Sequence, residues 1–288
     1  GIPDFSISRE KVKWGIPFPK DQSQTIYVWV EALMNYVTAL DFPDGEKFEK
    51  FWPADLHIVG SAINKFHSIF WRALLLSANL PLPKSIFVHG LFTINGQKIS
   101  KNLGNIIDPM DLVSQFGADA TRYILLSQFP AAEHGDIKES QFKEKYNSEL
   151  ANGLGNLFER VFRLVIHNKP SLKEKNADKE ISELENKIQS QYEENFRNYN
   201  LFDALRNISN FAKKIDQYIN EKKPWELVKN NPKDAEMVLN SLFSAARKIN
   251  NWIFPFMPEK ADRAKAFMEK IESGKTSKDD KLNLFPRI

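Results

Sequence analysis

The chain has no cysteine. That excludes disulfides and removes the thiolates on which the common structural zinc sites depend, so no protein-bound zinc is expected. The same absence fits a reducing compartment, cytoplasmic or mitochondrial matrix. No stretch approaches the ~20 consecutive apolar residues that span a bilayer. The opening GIPDFSISREK carries neither the apolar core of a secretory signal nor an Arg-rich amphipathic presequence, and no membrane partner is expected. Excess charge of one sign is also lacking. With 40 Lys and Arg against 37 Asp and Glu, a formal net charge of +3, any nucleic-acid contact must come from local patches rather than a global field. Repeats and low-complexity tracts are missing too. What is plentiful is apolar material: 42% of the 288 residues are hydrophobic, 22 of them Phe, enough to build one large or two medium cores.

Residues 1–24, rich in Pro, Gly and charge, read as a connection. Thr25 to Val30 predicts a strand and Glu31 to Leu40 a helix. Leu56 to Val59 predicts a second strand ended by Gly60, Ile63 to Ala78 a helix stopped by Pro81 and Pro83, and Ser85 to Val88 a third strand. This alternation has the spacing of parallel βαβ crossovers and predicts half of a doubly wound sheet. Asp108-Pro109 has the signature of a helix N-cap followed by Pro at the first helical position, Gly117 interrupts that helix, and Pro130 to Gly135 is a break. From Glu139 onward the periodicity predicts only helices, at about 139–167, 177–195, 201–220, 234–253 and 259–272, joined by polar connections at Lys169–Asp178 and Ser273–Asp280. The fold class expected is therefore α/β followed by an all-α antiparallel bundle, with the domains at residues 1–137 and 138–288.

Chemistry concentrates in HGLFTINGQKISKNLGN, His89 to Asn105. Asn95-Gly96 between two short alternating segments is a strong hairpin signal, because both central residues of a type I′ turn need positive φ. The hairpin leads into Lys98 and Lys101, with Ser100 and Gly104 beside them. Two flexible ammonium groups held close together suit a phosphate that moves as charge develops on it. A tetrapeptide alone also fits a solvated lysine loop. Ile63, His67 and Trp71 recur every four residues and so share a helix stripe, which fits either ordinary core or an aromatic binding wall. Asn152, Asn156 and Arg160 share a helix face by the same spacing, and Trp225 follows Lys222-Lys-Pro. Amides can meet unstacked base edges and an indole can carry a base, although a helix-start aromatic also packs on a bundle.

The stretch HGLFTINGQKISKNLGNIIDPMDLVSQFGADATRYILL, with IYVWVEALMNY, FWPADLHIVG and FHSIFW upstream and HGDIKESQFKEKYNSELANGLGNLFER and KKPWELVK downstream, resembles the class I aminoacyl-tRNA synthetases, specifically the methionyl-tRNA synthetase family, in that family's order along nearly the whole chain. The resemblance implies the C-terminal half of a Rossmann-like catalytic domain followed by an anticodon-binding helix bundle. It implies ATP with Mg2+, methionine and tRNA-Met as substrates and partners, and adenylation of methionine followed by transfer to tRNA. Lys98 and Lys101 match the two lysines of the Lys-Met-Ser-Lys-Ser signature and would be catalytic. ATP would be held by His89, Gly90, Lys98, Ser100 and Lys101, and methionine by Trp29, Tyr36, Ile63, His67 and Trp71. The anticodon CAU would be read by Asn152, Asn156, Arg160 and Trp225, and no metal site is implied.

The chain departs from the family pattern at Ile99 and Asn102 in the lysine signature, at Glu31, and at Ala62, where the family has a carboxylate. The other signature, His-Ile-Gly-His, is missing, so the isolated chain is expected not to form adenylate without the first half of the fold. Other readings are a non-catalytic tRNA-binding protein, or a class I synthetase for another aliphatic amino acid; LANGLGNLFER and KKPW argue against the latter.

Overall fold

In the computed structural model, which describes residues 4–100, 104–172 and 178–288, the N-terminal residues expected as a connection supply two strands. β1 (Ser8–Arg9) and β2 (Pro17–Phe18) flank β3 (Asp21–Ile26) in an antiparallel sheet of order β1-β3-β2. Only Pro19 and Lys20 separate β2 from β3. A two-residue turn can join antiparallel strands only, since a parallel pair needs a crossover of a dozen residues or more. The first of the three expected strands therefore stays out of the parallel sheet, and it ends earlier than expected because the helix α1 (Val28–Thr38) begins at Val28.

α1 buries Leu33 and Val37, and after α2 (Glu46–Phe51) comes β4 (His57–Gly60). The expected helix after it is three kinds of turn in succession: a 3₁₀ turn (Ser61–Ile63), a π-helical stretch (Phe66–Trp71) and α3 (Arg72–Ser77). β5 (Ile86–His89) then lies parallel to β4, with Gly60 opposite His89, completing the predicted βαβ unit. Leu33, Val37, Trp52, Trp71 and Leu75 form its core. These residues belong to the first of two compact units, Gly1–Leu91; the second is Phe92–Ile288.

The second unit opens with the Asn-Gly hairpin. β6 (Phe92–Ile94) and β7 (Gln97–Lys98) are antiparallel, and Asn95 and Gly96 have the positive φ values of 52° and 74° that the turn requires. Asp108 caps α4 (Pro109–Phe116), its carboxylate accepting from the Met110 N–H at 2.8 Å, and Gly117 at φ 82° separates α4 from α5 (Ala118–Leu126). The break expected before residue 137 ends in a strand that sequence reading passes over, β8 (Gly135–Ile137), parallel to β6.

The long helix expected at 139–167 is α6 (Ser140–Lys145), a π-helical stretch (Tyr146–Gly155) and α7 (Asn156–Asn168). Gly153 and Gly155 put no side chains in the way of the wider turn. The bundle continues with α8 (Lys179–Arg197), α9 (Leu201–Lys222), a short helix absent from the sequence reading, α10 (Pro224–Asn230), and then α11 (Pro232–Ile253) and α12 (Pro258–Glu272). Its core includes Leu150, Val161, Phe162, Phe211, Ile215, Leu242 and Ile249, each at most 1% exposed. At about 1.5–3 kcal/mol per fully buried apolar side chain, this core outweighs exposed ion pairs such as Arg163–Glu159, which contribute about 1 kcal/mol or less.

Candidate functional site

In the first unit the residues expected around methionine meet. The His67 Nδ1 stands 3.0 Å from the Ile63 carbonyl, which can only accept, so the proton sits on Nδ1. In the neutral ring Nε2 is then an acceptor, and the Tyr36 hydroxyl donates to it at 2.9 Å. A π turn closes with i→i+5 bonds, so the spacing of four still keeps Ile63, His67 and Trp71 together although the helix is not a regular α-helix. Tyr36 lies 5.6 Å from His67 and 5.9 Å from Trp71, ring to ring. Trp29 meets the edge of His67 at 6.2 Å and stacks on Phe66 at 4.1 Å.

Phe66 and His57 join this cluster without having been singled out in the sequence. His57 packs against Tyr36 at 4.4 Å and is 5% exposed. Burial, and then the neighbouring His67, push its pKa below the usual imidazole value. Its Nε2 and the Trp71 Nε1 are buried atoms with no hydrogen-bond partner among the described residues, so the cluster keeps unused polar capacity. His89 and Gly60 end the two parallel strands, the end at which α/β sheets bind ligands. His89 donates from Nδ1 to the Gly90 carbonyl at 2.8 Å, and its ring covers Gly60 so closely that a Cβ there would stand 3.4 Å from it. Ala62, in the 3₁₀ turn, is exposed.

In the second unit Lys98 is exposed at the end of β7. Lys101 and Asn102 lie outside the described residues. Two side chains brace the described residues on either side of Lys98. Asn105 donates from Nδ2 to the Lys98 carbonyl at 3.1 Å and accepts from the Ser100 N–H at 2.9 Å. Asp136, on β8, accepts from the Gly96 N–H at 2.7 Å and from the Thr93 hydroxyl at 2.8 Å. Those bonds, the Gly96 one foremost, hold its carboxyl below the usual carboxylate range. Asp136 is thus a positioning residue for the lysine hairpin, and the sequence reading had no signal for it beyond an acid in a short strand. Asp136→Ala, in a chain of the relatives' full length, is expected to slow adenylation by up to about a hundredfold with an unchanged KM for methionine. Asp136→Asn, which keeps an acceptor oxygen, should restore most of the rate.

On the bundle, Asn152 lies in the π-helical stretch and Asn156 starts α7. Both line a cavity of about 490 Å³, and Asn156 also lines a second of about 410 Å³ together with Arg160, His167 and Trp225. The Arg160 guanidinium donates to Asp216 Oδ1 at 2.7 Å and to Asn220 Oδ1 at 2.6 Å, and lies 5.9 Å from the Trp225 ring centre. Trp225 is 44% exposed, placed by Pro224 at the start of α10 after Lys223 turns the chain at φ 45°. Of these two cavities, the first is thus bordered by Asn152 and Asn156 and the second by Asn156, Arg160 and Trp225, with Asn156 common to both.

The family described as tRNA synthetases class I (M) matches residues 1–162. Among curated proteins, the chain is 40% identical over 281 residues to the methionine–tRNA ligase of Thermotoga maritima, covering 94% of this chain and 44% of that protein. It is likewise 40% identical over 275 residues to the methionine–tRNA ligase of Rickettsia conorii, covering 91% of this chain and 54% of that one. The chain thus spans about half the length of the curated relatives it matches. Among solved structures, Mycobacterium tuberculosis methionyl-tRNA synthetase in complex with methionyl-adenylate superposes with a TM-score of 0.84 at 30% identity, over 100% of this chain and 61% of that one. The α/β segment followed by a helix bundle is the architecture shared with that enzyme. With the family match covering more than half of its residues, the chain belongs to the class I tRNA synthetases of the M group.

Proposed function

We propose that this chain contributes the lysine-loop half of the catalytic domain and the anticodon-binding bundle of a methionine–tRNA ligase. In this reading residues 1–137 serve activation and 138–288 serve tRNA-Met, in the cytoplasm or the mitochondrial matrix. The methionine carboxylate attacks the α-phosphorus of ATP, which enters as its Mg2+ complex, and pyrophosphate leaves. A terminal ribose hydroxyl of the tRNA then attacks the activated carbonyl and AMP leaves. Lys98, and Lys101 by its match to the family signature, neutralise charge on the departing phosphates. His89 and Gly90 border the nucleotide. Trp29, Ile63 and Trp71 supply the apolar, polarisable wall that suits a thioether, and Tyr36 with His67 supplies a fixed polar pair.

The observation that carries the substrate assignment is the Tyr36 hydroxyl bond to a buried His67 inside an aromatic cluster. An imidazole locked in one tautomer is a specificity device, not only core filling. The test is methionine-dependent ATP–pyrophosphate exchange by a chain of the relatives' full length. Tyr36→Phe should raise the KM for methionine about two- to tenfold with little change in kcat, the loss of one hydrogen bond. An unchanged KM takes the pair out of the pocket. RNA binding without any exchange makes the protein a tRNA-binding relative of the ligases.

A further inference from the structure

Residues 281–288 carry no helix or strand, yet they are tied to the helix that bears Asn152. Leu284 and Phe285 are buried at 2% and 5% exposure. Phe285 packs against Gly155, where a Cβ would stand 3.4 Å from the Phe285 ring. On the far side the Tyr146 hydroxyl donates to the Pro286 carbonyl at 2.9 Å, and Asn147 exchanges two bonds with the backbone of Ile288, at 3.0 and 3.2 Å. Arg287 is held between these anchors, so ordering its side chain costs less entropy than for a free arginine. Its Nε donates to Asn152 Oδ1 at 2.9 Å.

That bond has a chemical consequence. A guanidinium has no acceptor atom, so only the oxygen of the Asn152 amide can face it. The amide is thereby denied its flipped orientation, and its NH₂ group, with no hydrogen-bond partner among the described residues, is what remains to offer. We infer that Arg287 is a specificity-positioning residue: it fixes the Asn152 amide with its NH₂ group outward as a hydrogen-bond donor, so that Asn152 meets an acceptor atom on the edge of an RNA base. This deepens the anticodon reading and rests on it. Cytosine N3 and O2 and adenine N1 are acceptors of the required kind, whereas the corresponding ring nitrogens of uracil and guanine carry hydrogen and cannot accept.

The experiment is a binding titration of this chain at fixed salt, using a stem-loop carrying CAU and stem-loops in which each of the three bases is replaced singly. The quantity read is the ratio of affinities, CAU over each replacement. Arg287→Ala should lower that ratio at one position by about tenfold, the effect of losing one well-oriented base contact. Arg287→Gln, which can face either end of the amide, should do the same, whereas Arg287→Lys, still a donor only, should retain the ratio. In an Asn152→Ala background, Arg287→Ala should change the ratio no further. Thermal transitions of the variants verify that the bundle is intact, and the Gln and Lys pair isolates the donor character if alanine loosens the segment. If Arg287→Ala weakens every loop alike and leaves the ratio intact, Arg287 is a phosphate contact and the inference is overturned. The same holds if the ratio falls as far without Asn152 as with it. A wild-type chain that binds all the loops equally overturns the anticodon reading itself.

Discussion

Replacing Lys98 by alanine in a chain of the relatives' full length is expected to slow methionine-dependent pyrophosphate exchange by about 10²–10³-fold, while the KM for methionine stays nearly constant. The split follows from where the charge appears. Negative charge grows on the leaving phosphates as the bond to the α-phosphorus breaks, so an ammonium placed there binds the transition state better than the ground state and accelerates the step. The backbone around Lys98 is braced on both sides: Asn105 bonds the Lys98 carbonyl and the Ser100 N–H, and Asp136 bonds Gly96 and Thr93 in the preceding hairpin. Lys101→Ala should act in the same direction. A weakened methionine affinity with an unchanged rate constant would move Lys98 from catalysis to folding.

Trp225→Ala is expected to weaken binding of a CAU stem-loop by roughly 1–3 kcal/mol, the range for removing an aromatic platform from under a base, or about fivefold to 150-fold in Kd. The indole is 44% exposed beside the cavity it shares with Asn156 and Arg160, so it has a free face to offer. A lysine replaced on the same surface should instead lower affinity for all loops, because phosphate contacts carry little sequence information. Titrations with CAU and scrambled loops at fixed salt, beside a thermal transition of the variant, separate the two roles. Equal binding of both loops by the intact chain, or a bundle that melts when Trp225 is removed, assigns Trp225 to the fold.

What could be read without coordinates was whatever the chemistry of a few consecutive residues decides. The hairpin at Asn95-Gly96 was legible because positive φ at two adjacent positions is a local steric requirement, and Asp108-Pro109 because capping engages a backbone N–H two residues away. The long helices were legible from a period repeated over several turns. The four anticodon-face candidates and the Ile63, His67, Trp71 stripe followed from spacing and resemblance together.

Tertiary structure alone decided the rest, because those features depend on pairings between residues that sequence distance does not relate. β8 has three residues and reads as a loop until β6, some 40 positions earlier, supplies its hydrogen bonds, and only that pairing brings Asp136 to Gly96. His57 is an unremarked strand residue until Tyr36 and His67 close over it. The π-helical turns replace regular α-helix without changing the composition that predicts a helix. Arg287 lies 135 residues from Asn152, and its bond exists because Leu284 and Phe285 find a buried seat beside Gly155, a gain of apolar burial that no local propensity encodes.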